Sequence, residues 1–313
     1  MDANFEVSSL VEAVDSSSKE ELSCKPEVES SWSGDLDVSD LPMNKRLWQE
    51  IPDLVAVVAD LKNSTKMGTG KHAASTASIY QASTGGVVEV FNRFEANFIQ
   101  IQGDGAFALF WDDGRLERAI CAAITVQTFG AKLKSRLETK WPEAPATGLK
   151  VGIAASRVLV KRVGTPRNPS QQEPIWAGKA VNYAMKAAQS ADAGQLIVTG
   201  TVWDAIAGND YLTISCGCSG GELSSPTQLW DDVEIGRLPE DDLDSAGRLL
   251  DSTWCSLHGD EFCQAVLAGE TTRASVEAER AAVLASQKRD SLRRVKESRR
   301  KLVRERKSGL ARR

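Results

Sequence analysis

The sequence predicts an α+β fold in which a mainly antiparallel sheet carries its helices on one side. A continuous apolar run at 54–59, rich in β-branched residues, is typical of a strand buried on both faces. Residues 115–137 place their apolar side chains at helical spacing. Between 52 and 208 the predicted order is strand, helix, strand, strand, helix, strand, helix, strand. This order differs from the strict alternation of a doubly wound parallel fold.

Local composition defines the remaining elements. Residues 66–83 are small, polar and free of proline, which predicts a helix that ends near Gly85-Gly86. Residues 164–174, rich in Pro, Asn and Gln, predict a surface loop, and 179–189 predict a helix. Further strands are predicted at 87–91, 97–102, 106–111, 149–153, 158–163 and 195–199, and a short helix at 201–207.

Charge is distributed unevenly along the chain. Residues 1–40 contain eleven acidic and two basic side chains, whereas 271–313 contain fifteen basic and five acidic ones. We predict an acidic, partly disordered segment, a main α+β domain, an extension that contains Cys and His, and a basic helical tail. Their bounds are 1–48, 49–210, 211–270 and 271–313. A main role in nucleic-acid binding through the tail is the least favoured alternative.

The composition also limits the location of the protein. No run of about 18 apolar residues is present, so the sequence predicts no membrane span. The N-terminus lacks the basic and apolar regions of a secretory signal. Six cysteines in such a chain favour free thiols or a metal site over disulfides. We therefore expect a cytoplasmic protein.

Two aspartates occupy defined positions at predicted strand ends. Asp60 follows the apolar strand at 54–59, and Asp104 lies between Gly103 and Gly105 in a tight turn. Two carboxylates that meet at one edge are costly unless a cation neutralises them, and Mg²⁺ or Mn²⁺ prefers such oxygen ligands. The alternative is that Asp60 caps a strand and Asp104 is an ordinary turn residue.

A series of short motifs resembles class III adenylate and guanylate cyclases, in the same order along roughly 52–208. The motifs are Val57-Val58-Ala59-Asp60-Leu61, Gly85-Gly86-Val87-Val88, Gly103-Asp104-Gly105, Val151-Gly152-Ile153 with Arg157, Gly178-Lys179-Ala180-Val181-Asn182, and Gly194-Gln195-Leu196-Ile197-Val198. The resemblance implies a class III cyclase-like fold, of the ferredoxin-like or palm type, and makes 49–210 the catalytic domain.

The resemblance also implies roles for individual residues. Asp60 and Asp104 would hold two divalent cations, Mn²⁺ or Mg²⁺, helped by the backbone carbonyl of Leu61. Arg157 would bind the triphosphate, and Asn182 would contact the ribose and position its 3′-hydroxyl. The implied reaction closes a nucleoside triphosphate into a 3′,5′-cyclic nucleotide and releases pyrophosphate.

Enzymes of this family are head-to-tail dimers, so the implied partner is a second copy of the chain. The metal-binding aspartates come from one subunit, and Asn182 and the residue one helical turn later come from the other. That later residue is Lys186 here, where the family usually has arginine. Lysine cannot form a bidentate clamp, which leaves open a catalytically weak module that only senses a nucleotide.

The positions that read the base match neither purine pattern of the family. They hold Gln100 and Ile175, with Trp176 beside the latter. Gln100 offers a donor and an acceptor, which suits uracil or cytosine, and the bulky pair 175–176 favours a single ring. Alternatively, Gln100 faces away or Trp176 belongs to the core.

These departures most resemble the pyrimidine cyclases of bacterial Pycsar antiphage systems. That resemblance implies UTP as the favoured substrate, with CTP or ATP as alternatives. It also implies a cyclic nucleotide that a separate effector reads during antiviral defence.

The predicted extension carries several residues that bind metals. Cys216-Gly217-Cys218 and Cys255-x-x-His258, with Cys263 nearby, indicate a split tetrahedral zinc site. Cys216, Cys218 and Cys255 are the expected ligands, and the fourth is either His258 or Cys263. The alternative is a set of buried free thiols near two tryptophans.

Overall fold

The computed structural model describes residues 6–30, 36–41, 43, 46–67, 73–143, 145–165, 167–219, 222–223 and 226–310. The helices are α1 Val7–Leu22, α2 Ser64–Met67, α3 Ala73–Arg93, α4 Arg115–Lys140, α5 Lys179–Ser190, α6 Gly200–Ile206, α7 Asp210–Thr213, α8 Gly259–Leu267 and α9 Ala274–Leu310. The strands are β1 Glu27–Glu29, β2 Leu47–Leu61, β3 Phe98–Gln102, β4 Gly105–Phe110, β5 Leu149–Gly164, β6 Gln172–Gly178, β7 Leu196–Val198, β8 Cys218–Ser219, β9 Glu222–Leu223, β10 Trp230–Glu234 and β11 Ala246–Leu250.

Nine of these strands join one sheet within the described residues. The order is β10-β11-β7-β5-β2-β4-β3, with β1 beside β2 and β6 beside β5. Most neighbours are antiparallel, but β5 and β7, like β1 and β2, run parallel. Strands β8 and β9 form a separate pair. The prediction of an α+β fold with a mainly antiparallel sheet is therefore confirmed.

Both faces of the sheet are buried, because β2 is apolar at every position from 54 to 59. Val55, Val57 and Ala59 face one core, which α3 and α4 cover. Leu54, Ala56 and Val58 face a second core, which α5 covers. The prediction that helices lie on only one side was wrong, since a strand without polar positions needs cover on both faces.

The helix predicted at 66–83 continues to Arg93, so the strand predicted at 87–91 is absent. Residues 68–72 of that prediction lie outside the described residues. Gly86 does not end the helix. A side-chain carbon there would lie 2.4 Å from the ring of Phe129, so the glycine permits close packing of α3 on α4.

Two further predictions need correction. The strands expected at 149–153 and 158–163 form one long strand, β5. Part of the loop expected at 164–174 belongs to β6, which pairs with the second half of β5 as a hairpin. Because the polar residues of β6 alternate with Trp176 on the buried side, the composition of the segment concealed the strand.

The two ends of the chain differ in how they meet the sheet. Helix α1 has no buried residue, and residues 1–5, 31–35, 42, 44 and 45 of the predicted acidic segment lie outside the described part. Strands β10 and β11 come after residue 210 but join the main sheet through β7. Helix α9 occupies Ala274–Leu310, within the segment predicted as a basic helical tail.

Candidate active site

Asp60 is the penultimate residue of β2 and lies opposite Lys150 of β5. Its Oδ2 atom lies 2.8 Å from the Lys150 Nζ atom, and the Asp60 side chain is 33% exposed. Leu61, which ends β2, buries its side chain in the core beneath α3 and α4. The carboxylate of Asp60 is therefore held at an accessible end of a rigid central strand.

Asp104 lies beside Asp60 because the turn from β3 to β4 closes against the end of β2. The last paired positions of β2 and β4 are Ala59 and Ala106. A side-chain carbon on Gly105 would lie 2.7 Å from the carbonyl oxygen of Ala59 and 3.3 Å from Asp60 Oδ1. Only glycine permits this approach, which brings the two predicted metal-binding aspartates to adjacent strand ends.

This edge offers the ligands of a hard divalent cation. Asp60 on β2, Asp104 in the turn before β4 and the backbone carbonyl of Leu61 offer oxygen atoms, the type of ligand that Mg²⁺ and Mn²⁺ prefer. Gly105 lets the backbone at the start of β4 pass close to Asp60 Oδ1 without a side chain between them. Lys150 places a positive charge against the other oxygen of Asp60.

Asn182 and Lys186 lie one turn apart on α5, on the face opposite the sheet. Ala180, Tyr183, Ala184, Ala187 and Ala188 of the same helix are buried. Asn182 is exposed, and the Lys186 Nζ atom lies 5.7 Å from the centre of the Tyr183 ring. Both residues line an open groove of about 410 Å³.

The groove does not include the aspartate pair. Its described lining residues are Gly178, Lys179, Asn182, Tyr183, Met185, Lys186 and Gln189. Asn182 and Lys186 therefore share one surface with each other, and Asp60 and Asp104 share another. Within the described residues, the chain thus holds the predicted residues as two separate groups, the aspartate pair and the groove on α5, which we call half-sites.

Asp242 lies outside α5 and hydrogen-bonds two of the residues that line the groove. It accepts hydrogen bonds from Lys179 Nζ at 2.7 Å and from the Tyr183 hydroxyl at 2.6 Å. These bonds, that of Lys179 above all, lower the pKa of Asp242 to about 2. No local sequence pattern predicts this contact, since Asp242 follows α5 by more than 50 residues.

Arg157, the predicted triphosphate ligand, projects from the middle of β5. Its side chain is 71% exposed, and its Nη1 atom lies 3.4 Å from Glu50 Oε1 on β2. An exposed pair of this kind is weak and exchanges readily for another anion. The guanidinium is therefore accessible to a phosphate.

The predicted base-reading residues occupy different environments. Gln100 is half-buried on β3, on the same face of the strand as Phe98. Trp176 is 9% exposed and packs against Phe98 and Trp111, with ring centres 5.0 and 5.8 Å apart. Ile175 is 45% exposed. Trp176 thus takes the core position that we kept as the alternative, next to the face that carries Gln100.

The cysteines and histidine of the extension converge on one point. Within the described residues, ligand atoms of Cys216, Cys218, Cys255 and His258 all lie within 4.8 Å of one another. The Leu257 N–H, 3.5 Å from the Cys255 sulfur, lowers the pKa of that thiol to about 6. Cys263 lies outside this cluster and packs instead against Cys121 of α4.

Comparison with known proteins identifies the family. The chain is 50% identical to a uridylate cyclase of Micromonospora echinofusca over 98% of its own length and 97% of that protein. It is 51% identical to a uridylate cyclase of Propioniciclava tarda over 77% of each chain. This chain belongs to the uridylate cyclase family. The predicted resemblance to cyclases that act on pyrimidine nucleotides is thereby confirmed.

Two further comparisons concern family models and solved structures. No family model matches the sequence. Among solved structures, a class III adenylyl cyclase-like ATP-binding protein from Pseudomonas aeruginosa superposes with a TM-score of 0.53 at 16% identity. The match covers 90% of this chain and 52% of that one. The match supports a class III cyclase fold for this chain.

Sequence reasoning missed three charged residues of this cyclase. Lys150 and Glu50 contact Asp60 and Arg157 across the β2–β5 pairing. Asp242, from a distant loop, contacts Lys179, which lines the groove with Asn182 and Lys186. The pairing register is the signal that could have found Lys150, because it places Asp60 opposite Lys150, whereas it pairs Glu50 with Leu159 and not with Arg157. Within the described residues, no helix combines the length and apolar character that a bilayer span requires.

Proposed function

We propose that this chain converts UTP into 3′,5′-cyclic UMP and pyrophosphate. The observation that carries the proposal is the 50% identity, over nearly the whole chain, with a protein named uridylate cyclase. The adjacent carboxylates of Asp60 and Asp104 support the same reaction, because every cyclisation of this kind must bind a triphosphate and activate a sugar hydroxyl.

Asp60 and Asp104 would hold two divalent cations, Mn²⁺ or Mg²⁺, with the backbone carbonyl of Leu61. Such cations lower the pKa of a bound hydroxyl and neutralise phosphate charge. The rigid pairing of β2 with β4 and β5 positions the carboxylates before substrate binds. Preorganised charges of this kind provide the largest share of catalysis in phosphoryl transfer.

A second copy of the chain would complete the site. Asn182 and Lys186 face outward from α5, away from the sheet that carries the aspartates. In a head-to-tail homodimer, Asn182 of one subunit would orient the ribose over the aspartates of the other. Lys186 would place a point charge near the leaving pyrophosphate.

Separate residues would bind the triphosphate and recognise the base of the substrate. Arg157 would exchange its weak pairing with Glu50 for the triphosphate. Gln100 would donate to and accept from the uracil edge. Trp176 would narrow the pocket indirectly, by packing beneath the strand that carries Gln100. Ile175 would contact the base from the second subunit.

The product would act as a messenger in the cytoplasm. A cyclic pyrimidine nucleotide would be read by a separate effector protein during antiviral defence. The enzyme itself needs no effector contact for this role, because the nucleotide diffuses between them.

The test incubates the full chain with each of the four nucleoside triphosphates and Mn²⁺, and identifies products by mass spectrometry. We expect cyclic UMP as the dominant product. Dominant cyclic CMP or cyclic AMP would contradict the choice of base while retaining the cyclase. If calorimetry shows nucleotide binding but no product forms, the result would favour the alternative that Lys186 leaves open, a module that only senses a nucleotide.

A further inference from the structure

The cysteine and histidine cluster joins two segments that are distant in sequence. Cys216 and Cys218 follow α7, and Cys255 and His258 immediately precede α8. The four side chains are half-buried, and their ligand atoms lie within 4.8 Å of one another. The cluster lies outside the half-sites of the cyclase, on residues that the proposed reaction does not use.

The spacing of these atoms matches a tetrahedral zinc site. Zinc binds sulfur at about 2.3 Å and imidazole nitrogen at about 2.0–2.1 Å, so neighbouring ligand atoms lie about 3.5–3.8 Å apart. His258 Nδ1 lies 3.4 Å from the Cys218 sulfur and 3.8 Å from that of Cys255. The imidazole thus already faces two sulfurs at nearly the distances that a shared ion requires.

The surrounding residues hold the ligands in this arrangement. Gly217, with a φ of +76°, turns the chain between Cys216 and Cys218 so that both sulfurs reach the cluster. The His258 ring stacks on Phe262, with centres 5.8 Å apart. The Leu257 N–H points at the Cys255 sulfur, a contact typical of the outer shell of metal-bound thiolates.

We propose that Cys216, Cys218, Cys255 and His258 bind one structural Zn²⁺. Three thiolates and one imidazole fill a tetrahedral coordination sphere and leave no position for substrate, which is the pattern of structural rather than catalytic zinc. Cys263 is excluded as a ligand because it packs against Cys121 of α4.

The ion would hold the N-terminal end of α9 against the catalytic domain. One segment is anchored on α4, because Trp254 donates from its backbone N–H and its indole to Thr128 and Thr125, each at 3.0 Å. The other is anchored at the start of α9, because the buried Arg273, which immediately precedes that helix, donates to the carbonyls of Ile214 and Ser215 at 2.8 and 2.9 Å. Zinc between the two would link α4 to α9.

The test measures metal content by plasma mass spectrometry on the full chain, purified with reductant and without added chelator. We expect about one zinc per chain in the wild type, since a structural site holds its ion through purification. Cys218→Ser and His258→Asn should reduce this to well below half. Cys263→Ser is the matched control, a cysteine of the same extension outside the cluster, and should keep its zinc.

A second measurement remains informative if a variant fails to fold. Wild-type protein with Co²⁺ in place of zinc should show the intense visible bands of a tetrahedral thiolate site. A wild-type chain with little zinc, with no such bands, or with the cluster cysteines joined as disulfides would overturn the proposal. Equal zinc loss in Cys263→Ser would also overturn the ligand assignment. None of these outcomes depends on cyclase activity.

Discussion

The two candidate metal centres of this chain differ in donor atoms and in completeness. The first centre presents two carboxylates at the ends of β2 and β4, with Asp60 one third exposed and paired with Lys150. The second gathers three sulfurs and a nitrogen of one chain around a single point. With metal bound, the first would need substrate phosphates to complete its coordination sphere, whereas the second would be complete.

This difference indicates how each centre serves the protein. An open, oxygen-rich site exchanges ions and substrate during turnover, and a closed thiolate site retains its ion as part of the fold. Changes in the first centre should therefore affect the rate and leave stability unchanged. Changes in the second should affect stability and metal content before they affect chemistry.

The largest expected effect comes from removing the charge of one carboxylate in the first centre, which should leave the second centre intact. Asp104→Asn should lower the rate of cyclic nucleotide formation by at least about 100-fold, because it removes a charged ligand from a preorganised site. Zinc content and Tm should match those of the wild type. Turnover within about threefold of the wild type would contradict the role of Asp104 and return it to an ordinary turn residue.

Mixing variant subunits tests whether a second copy of the chain completes the first centre. Asp104→Asn and Asn182→Ala should each be nearly inactive alone. After subunit exchange, half of the dimers are mixed and each has one intact site, so about a quarter of wild-type activity should return. No recovery in a mixture shown to exchange would indicate that each chain builds its site alone.

A smaller effect should follow from removing the charge that faces Asp60. Lys150→Met should lower the Mn²⁺ concentration for half-maximal activity about fivefold, because a unit charge about 4 Å from the cation costs about 1 kcal/mol in water-like surroundings. Lys161→Met, on the same strand but opposite Ile175, is the control. An unchanged or increased Mn²⁺ requirement in Lys150→Met would show that Lys150 does not compete with the cation.

The smallest effect concerns the groove on α5. The pKa of Asp242 is lowered from 3.8 to about 2 by Lys179 and Tyr183, so its ionised form stabilises the folded state. That contribution is complete above about pH 4 and is lost as the pH falls towards 2. Asp242→Asn should slightly lower Tm at pH 7, and its difference from the wild type should shrink between pH 4 and 2. Asp241→Asn, which changes a neighbouring exposed carboxylate, is the matched control.

The sequence predicted the catalytic strands well because their signals are local. A run without polar residues marks β2, and a glycine-flanked aspartate marks the turn into β4. The glycines of α3 suggested a helix end that is absent, because Gly86 serves a contact with Phe129 that depends on how the helices pack. The ion pair of Asp60 with Lys150 depends on the register of two strands, and that of Asp242 with Lys179 depends on a distant loop that packs against α5. No local pattern encodes either contact.

The most direct measurement is anomalous X-ray diffraction from one crystal grown with Mn²⁺ and a non-hydrolysable UTP analogue, recorded on both sides of the manganese and zinc absorption edges. We predict manganese between Asp60 and Asp104, in contact with the triphosphate, and zinc at the cluster of Cys216, Cys218, Cys255 and His258. Aspartates that stay apart with no manganese between them, although the analogue is bound, would contradict the account.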